Sequence, residues 1–106
     1  MGKLQADLMD RVKSFKKKAS RLYQIDRLIV FGSSVRGSRK RDSDVDMIVV
    51  SKGFEGMGFL KRPVELRLLW RRGVPLDLIC LTPEEFKELK RKVSLVSIAI
   101  KEGVEA

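Results

Sequence analysis

Histidine is absent from this chain of 106 residues. Its absence excludes Ser-His-Asp and Cys-His catalysis, zinc sites built on imidazole, and a histidine general base. The chain also lacks the GxxxxGK[ST] P-loop and the GxGxxG dinucleotide motif. Any chemistry must therefore come from carboxylates, hydroxyl groups, lysine and arginine, or a bound metal ion.

Cysteine and long apolar runs are also scarce. Cys80 is the only cysteine and lies in a short apolar run, which excludes an internal disulfide and predicts a buried core thiol. No stretch approaches the length of a membrane span, and no signal peptide is recognisable, so we expect a cytoplasmic protein with no membrane partner. The chain has no asparagine, two glutamines and 35% charged residues, a bias typical of thermophile proteins.

Acidic residues are few in the first part of the chain. Residues 1–41 contain 12 lysines and arginines against 3 acids, whereas residues 42–106 contain 11 of each. The whole net charge of +9 therefore lies on the first predicted helix and around the Gly-Ser turn that follows. An anionic ligand or partner would explain this excess, and so would a solvated basic helix face.

The hydropathy pattern predicts one small α/β or α+β domain covering residues 1–106. Apolar residues at helical spacing run from Leu4 to Leu22 and predict an amphipathic helix ending near Gln24. Short apolar runs predict strands over 27–31, 44–50 and 75–81. Helices are predicted over 64–72, from a capping box that begins at Thr82, and over 95–100, where a strand also fits the pattern.

Two acids one residue apart are the most informative feature. Asp44 and Asp46 stand at the start of the second strand, in the segment SDVDMIVV. Residues i and i+2 of a strand share a face, so the pattern predicts that the two carboxylates project together. Carboxylates at this spacing suit a pair of Mg²⁺ ions. Asp77, the only charge in the third strand, is a candidate third ligand or else a salt-bridged edge residue.

A Gly-Ser turn precedes the acids by about a dozen residues. Gly32 allows a phosphate to approach the backbone closely, and Ser33 offers a hydroxyl group and an N–H. Ser34 is predicted to cap a short helix, and Arg36 can add a charge-assisted bond to phosphate. A Gly-Ser pair alone is a weak signal, because most such turns bind nothing.

These motifs together resemble the DNA polymerase β nucleotidyltransferase superfamily, and more closely the minimal nucleotidyltransferases, or MNT proteins. The matching residues are Gly32-Ser33 with Arg36-Gly37, Asp44-Val45-Asp46, and Asp77. The resemblance covers residues 28–81 well, and residues 100–103 are similar to the end of such proteins. The basic run Arg39-Lys40-Arg41 departs from the pattern.

The resemblance implies a small mixed sheet backed by helices and transfer of a nucleoside monophosphate from a nucleoside triphosphate, with ATP as the expected donor. Asp44, Asp46 and Asp77 would hold two Mg²⁺ ions and carry the catalysis. Gly32, Ser33 and Arg36 would bind the nucleotide phosphates. Physically, the reaction is an in-line displacement at the α-phosphate.

The acceptor is a separate question. A domain this small leaves little room to grip a second substrate, so we expect another protein to bring the acceptor or to be it. The resemblance implies a helical HEPN partner in a toxin–antitoxin module, with apolar Met57 and Phe59 as candidate contacts. Two alternatives remain: a stoichiometric antitoxin without catalysis, and a nucleic-acid binder using the basic first helix.

Overall fold

The computed structural model describes residues 6–36, 44–70, 75–92 and 94–106. In chain order the elements are α1 (Ala6–Ala19), β1 (Arg27–Phe31), α2 (Ser33–Arg36), β2 (Val45–Val50), a 3₁₀ turn (Lys52–Phe54), α3 (Arg62–Arg67), β3 (Leu76–Leu81), α4 (Pro83–Lys90), α5 (Leu95–Glu102) and β4 (Val104–Glu105). None of the described helices is both long and apolar enough to cross a membrane.

The four described strands form one mixed sheet in the order β3-β2-β1-β4. β1 runs antiparallel to both β2 and β4, whereas β2 and β3 are parallel. The parallel pair requires a crossover, which the 3₁₀ turn and α3 provide. This is the small mixed sheet backed by helices that the resemblance predicts, in an α+β arrangement.

Helices cover both sides of the sheet, and side chains alternate between the two sides along each strand. On the first side, which we call the α1 face, Met47 and Val49 pack with residues of α1 and with Leu66 of α3. On the second side, the α5 face, Ile48 and Val50 pack with Phe86 of α4 and with Val96 and Ala99 of α5. Apolar runs in β1 and β2 therefore reflect burial on both faces.

Most predicted elements are present, with shifted ends. β2 begins at Val45, one residue later than predicted, and α3 begins at Arg62, two residues earlier. The capping box is confirmed, since Glu85 N donates to Thr82 Oγ1 at 3.2 Å and Thr82 N donates to Glu85 Oε1 at 2.8 Å. Helix is also confirmed over the ambiguous segment 95–100. The sequence patterns did not predict β4.

Cys80 is buried, as predicted, and lies on the α1 face. Burial raises the pKa of its thiol to about 12, so it stays protonated near neutral pH. A protonated, buried thiol is a poor nucleophile. Cys80 is thus a core residue and no candidate for catalysis.

A buried arginine links three parts of the fold. Arg62 is 6% exposed and donates to the carbonyls of Met57 and Cys80, each at 3.1 Å. It also forms a bidentate ion pair with Glu85, in which Nη1 donates to Oε1 at 2.6 Å and Nη2 donates to Oε2 at 3.3 Å. One guanidinium thereby joins the loop before α3, the end of β3 and the start of α4.

Candidate functional site

A pocket of about 440 Å³ lies on the α5 face, where β1, β2 and β3 meet α5. Its floor comes from the strands and its wall from the helix. The lining residues are Phe31, Gly32, Asp46, Asp77, Ile79, Leu95, Ile98, Ala99 and Glu102. The pocket therefore combines three carboxylates with an apolar wall.

Asp46 and Asp77 are brought side by side by the parallel register of β2 and β3. The two residues are direct partners in the ladder, between the pairs Val45–Leu76 and Met47–Leu78. Parallel partners at one level of a sheet present their side chains on the same face. Asp46 is half-buried and Asp77 is exposed, so the carboxylate pair opens from the sheet into the pocket.

Gly32 supplies the backbone beside this carboxylate pair. Its φ is +79°, a conformation that residues with a Cβ rarely adopt. A side chain at this position would also overlap the carboxylate of Asp46. The turn continues into α2 with a hydrogen bond from Val35 N to the Gly32 carbonyl at 3.1 Å. Glycine here lets the β1–α2 turn lie directly against Asp46.

The other predicted site residues are placed differently. Asp44 lies one residue before β2, is exposed, and is not part of the pocket lining. Ser33 begins α2 next to the pocket but is not part of its lining either. The backbone of Arg36 ends α2, and its side chain lies outside the described part of the structure. Gly37 also falls outside the described residues.

The prediction that Ser34 caps a short helix is wrong. Ser34 lies inside α2, which begins one residue earlier, so it does not cap that helix. Its side chain is 5% exposed, and its Oγ has no hydrogen-bond partner among the described residues. The position is buried because α2 packs against β1 and β2.

Glu102 is a pocket residue that the motif analysis missed. It ends α5 and lines the pocket opposite the strands, together with Leu95 and Ile98. A signal was present, since the resemblance at residues 100–103 marks this segment. Its carboxylate gains significance only from the fold, which places the end of α5 in the same pocket as Asp46 and Asp77.

The carboxylates in the pocket can hold a hard cation such as Mg²⁺ only if a substrate supplies further oxygen ligands. Among the described residues, no group of three or more cysteine, aspartate or glutamate side chains is close enough to hold a metal ion. Asp46 and Asp77 nevertheless provide two adjacent carboxylates in an open pocket. Magnesium is commonly held by one or two carboxylates, with water and phosphate oxygens completing its shell. The residues present therefore fit Mg²⁺ bound together with a nucleotide.

Comparison with known proteins decides the family. The model of the nucleotidyltransferase domain family matches residues 12–105. The chain belongs to that family. The match spans both layers of helices and all four described strands, so the pocket lies within the family's domain.

Solved structures agree on the fold. A protein of Sulfolobus solfataricus assigned as a nucleotidyltransferase superposes with a TM-score of 0.58 at 21% identity, covering 99% of this chain and 89% of its own. BolA1 from Arabidopsis thaliana superposes with a TM-score of 0.56 at 25% identity, covering 71% of this chain and 94% of its own. A sequence comparison with curated proteins found no match.

Proposed function

We propose that this nucleotidyltransferase domain transfers a nucleoside monophosphate, AMP from ATP, to a hydroxyl group on a partner protein, with Mg²⁺ as cofactor. One observation carries the proposal: Asp46 and Asp77 are register partners in a pocket whose edge is the Gly32 turn. A pair of carboxylates can bind the metal ion of a metal-bound triphosphate, and a glycine beside them lets the phosphates approach the main chain closely.

In this proposal, residues of the domain bind the cation and orient the triphosphate. Asp46 and Asp77 would hold the cation from the strand side, with Asp44 as a further carboxylate ligand. The main chain at Gly32 and Ser33 binds the β- and γ-phosphates, with Arg36 adding positive charge. When bound, Mg²⁺ supplies charge stabilisation for the attacking and leaving oxygens.

The reaction balances without any further reactant. The acceptor oxygen attacks the α-phosphorus and forms the new P–O bond, while the bond from that phosphorus to the bridging α–β oxygen breaks. Pyrophosphate leaves with the electron pair. The hydroxyl proton passes to the Asp77 carboxylate and from there to water.

An exposed apolar surface supports a protein as the acceptor. Leu60, Val64 and Leu68 are 83%, 57% and 83% exposed and recur at a spacing of four residues along and beside α3. Phe59 is 53% exposed next to them, whereas Met57 is half-buried and packs against the core. Clustered exposed apolar residues are typical of protein-binding surfaces. We propose that a helical partner of the HEPN type docks here.

Label transfer from α-phosphate-labelled ATP tests the proposal. The wild-type protein, Asp46→Asn, Asp77→Asn and the control Glu88→Gln are each incubated with Mg²⁺ and a lysate of the source organism. Glu88 is an exposed acid on α4, away from the pocket, so its variant controls for loss of charge. We expect one protein band labelled by wild type and control, and at least about 100-fold less label with either aspartate variant.

Two outcomes would contradict the proposal. Label in RNA instead of protein would retain the transferase and replace the acceptor. No label from any of the four nucleoside triphosphates, with a folded protein, would contradict nucleotidyl transfer itself.

The exposed apolar surface also favours a second candidate function, a stoichiometric antitoxin that masks its partner without catalysis. The two functions differ in one variant. An Asp46→Asn, Asp77→Asn protein that still neutralises the partner would support masking, whereas loss of neutralisation with retained binding would support transfer.

A further inference from the structure

A second pocket lies across the sheet from the first, on the α1 face. It has a volume of about 450 Å³ and is formed by one stripe of α1 and the residues that follow α3. The α1 residues are Arg11, Ser14, Phe15 and Lys18, and the opposite wall is Leu68, Leu69 and Trp70. Its volume is in the range of small-ligand pockets.

The pocket offers hydrogen-bond donors and positive charge. Arg11 and Lys18 form no ion pair with any described residue, although Asp7 lies one helical turn before Arg11. The Ser14 hydroxyl completes the polar lining, and no acid is part of that lining. Two cations in one pocket, neither ion-paired within the described part of the chain, favour an anionic ligand.

Trp70 provides an independent observation. The side chain lines the pocket, is 8% exposed, and packs edge-on against Phe15 with the ring centroids 5.5 Å apart. Its Nε1–H has no hydrogen-bond partner among the described residues. Buried indole N–H groups normally have a partner, and leaving one unpaired is costly. Trp70 therefore lies in the wall of the pocket, where a bound ligand would change the surroundings of its ring.

The surroundings extend the positive charge beyond the pocket. Residues 11–21 contain six lysines and arginines and no acid. Lys16 is engaged, since its Nζ donates to the main-chain oxygen of Ala106 at 2.7 Å, but Lys13 and Lys17 are exposed on the outer side of α1. A single small anion would not use a charged surface of this length, whereas a chain of phosphates would.

We propose that the groove between α1 and Trp70 binds single-stranded nucleic acid. One phosphate lies between Arg11 and Lys18, and the attached nucleoside covers the apolar wall at Leu69. The neighbouring phosphates lie in the general positive field of α1, without direct bonds to its outer lysines. A basic groove that follows the phosphate backbone is a usual feature of proteins that bind single strands without sequence preference. This site is separate from the nucleotidyl-transfer pocket, which lies on the α5 face.

Trp70 is the only tryptophan, so its fluorescence reports on this pocket directly. The experiment titrates the full chain with an oligouridylate of about ten nucleotides at several salt concentrations. The Arg11→Gln, Lys18→Gln variant removes the two pocket cations. The Lys13→Gln, Lys17→Gln variant removes two charges from the same helix outside the pocket and is the matched control.

We expect saturable binding that changes Trp70 emission and weakens steeply with salt. The pocket variant should lose at least about tenfold in affinity and lose the emission change, whereas the control should lose no more than about threefold. An Asp46→Asn, Asp77→Asn protein should bind normally, so failure of the transfer reaction would leave this result intact.

Three outcomes would overturn the proposal. Equal losses in the two lysine and arginine variants would mean that the basic helix attracts RNA without a site. An emission change with inorganic phosphate or UMP at the same affinity as the oligonucleotide would point to a free anion instead of a strand. Binding without any change in Trp70 emission would place the RNA elsewhere.

Discussion

At the residue scale, two requirements meet at Gly32. The backbone has a positive φ, and the space where a Cβ would lie is taken by the Asp46 carboxylate. Gly56 has nearly the same backbone, with φ of +81°, but nothing lies within 4 Å of its Cβ position. Among the glycines that the structure describes, Gly56 is thus required by conformation alone and Gly32 by both conformation and the site.

This pair gives a controlled test. Gly32→Ala and Gly56→Ala should each destabilise the fold by about 1–2 kcal/mol, because both force alanine into a positive-φ conformation. Only Gly32→Ala should also displace Asp46 and abolish nucleotidyl transfer. Urea unfolding and label transfer measure the two effects. Equal activity of the two variants at matched folded fraction would show that the Gly32–Asp46 contact has no part in function.

Arg62 is the other residue on which several contacts depend. Replacing it with methionine leaves the carbonyls of Met57 and Cys80 without their donor and frees Glu85. We expect Arg62→Met to lose about 2–4 kcal/mol of unfolding free energy, discounted because the Glu85 side chain is 42% exposed. Arg67→Met, at an exposed position of the same helix, should lose less than about 0.5 kcal/mol. Comparable losses in urea unfolding would contradict this role for Arg62.

At the element scale, α4 is held at its start by one carboxylate that serves two partners. Glu85 closes the capping box with Thr82 and receives the Arg62 guanidinium. The bond from Arg62 chiefly lowers the pKa of Glu85 below its usual 4.5. The ionised form therefore stabilises the folded state, and this contribution is complete above the unfolded pKa and lost as pH falls through the folded pKa.

Acid unfolding tests this linkage. Between neutral pH and pH 4.5 the wild type should keep the contribution of Glu85, and below pH 4.5 its stability should fall. Glu85→Gln should be less stable at neutral pH and lose less on acidification, whereas Glu88→Gln should follow the wild type. Parallel stability–pH curves for wild type and Glu85→Gln would contradict the assignment.

Local signals explain which elements the sequence could predict. The Thr82 capping box and the apolar runs of β1 and β2 specify their own structure, so these elements appear where expected. β4 has only two residues and depends on pairing with Ile29 and Val30, which no local pattern encodes. The same holds for the pockets. A sequence motif marks the aspartates, whereas only the fold brings Glu102 to them, or Arg11 to Trp70.

At the scale of the whole molecule, the sheet separates two pockets of similar volume and different charge. The pocket on the α5 face is lined by Asp46, Asp77 and Glu102, and the pocket on the α1 face is lined by Arg11 and Lys18. The strands between them are tightly packed, with Met47 and Ile48 fully buried on opposite sides. Substitution of exposed residues in one pocket should therefore leave the structure of the other pocket unchanged.

Independence of the two faces is testable by a double-mutant cycle. Arg11→Gln with Lys18→Gln should lower the affinity for the oligonucleotide at least about tenfold and leave label transfer to protein within about twofold, since neither side chain lines the transfer pocket and distant sites behave additively. Asp46→Asn with Asp77→Asn should do the reverse, and the combined variant should show both losses without any additional effect. Arg11 and Lys18 lie on the opposite side of the sheet from Asp46 and Asp77, so they cannot act on the transfer reaction directly. Loss of transfer in the Arg11, Lys18 variant would therefore mean that the groove contributes to binding the acceptor.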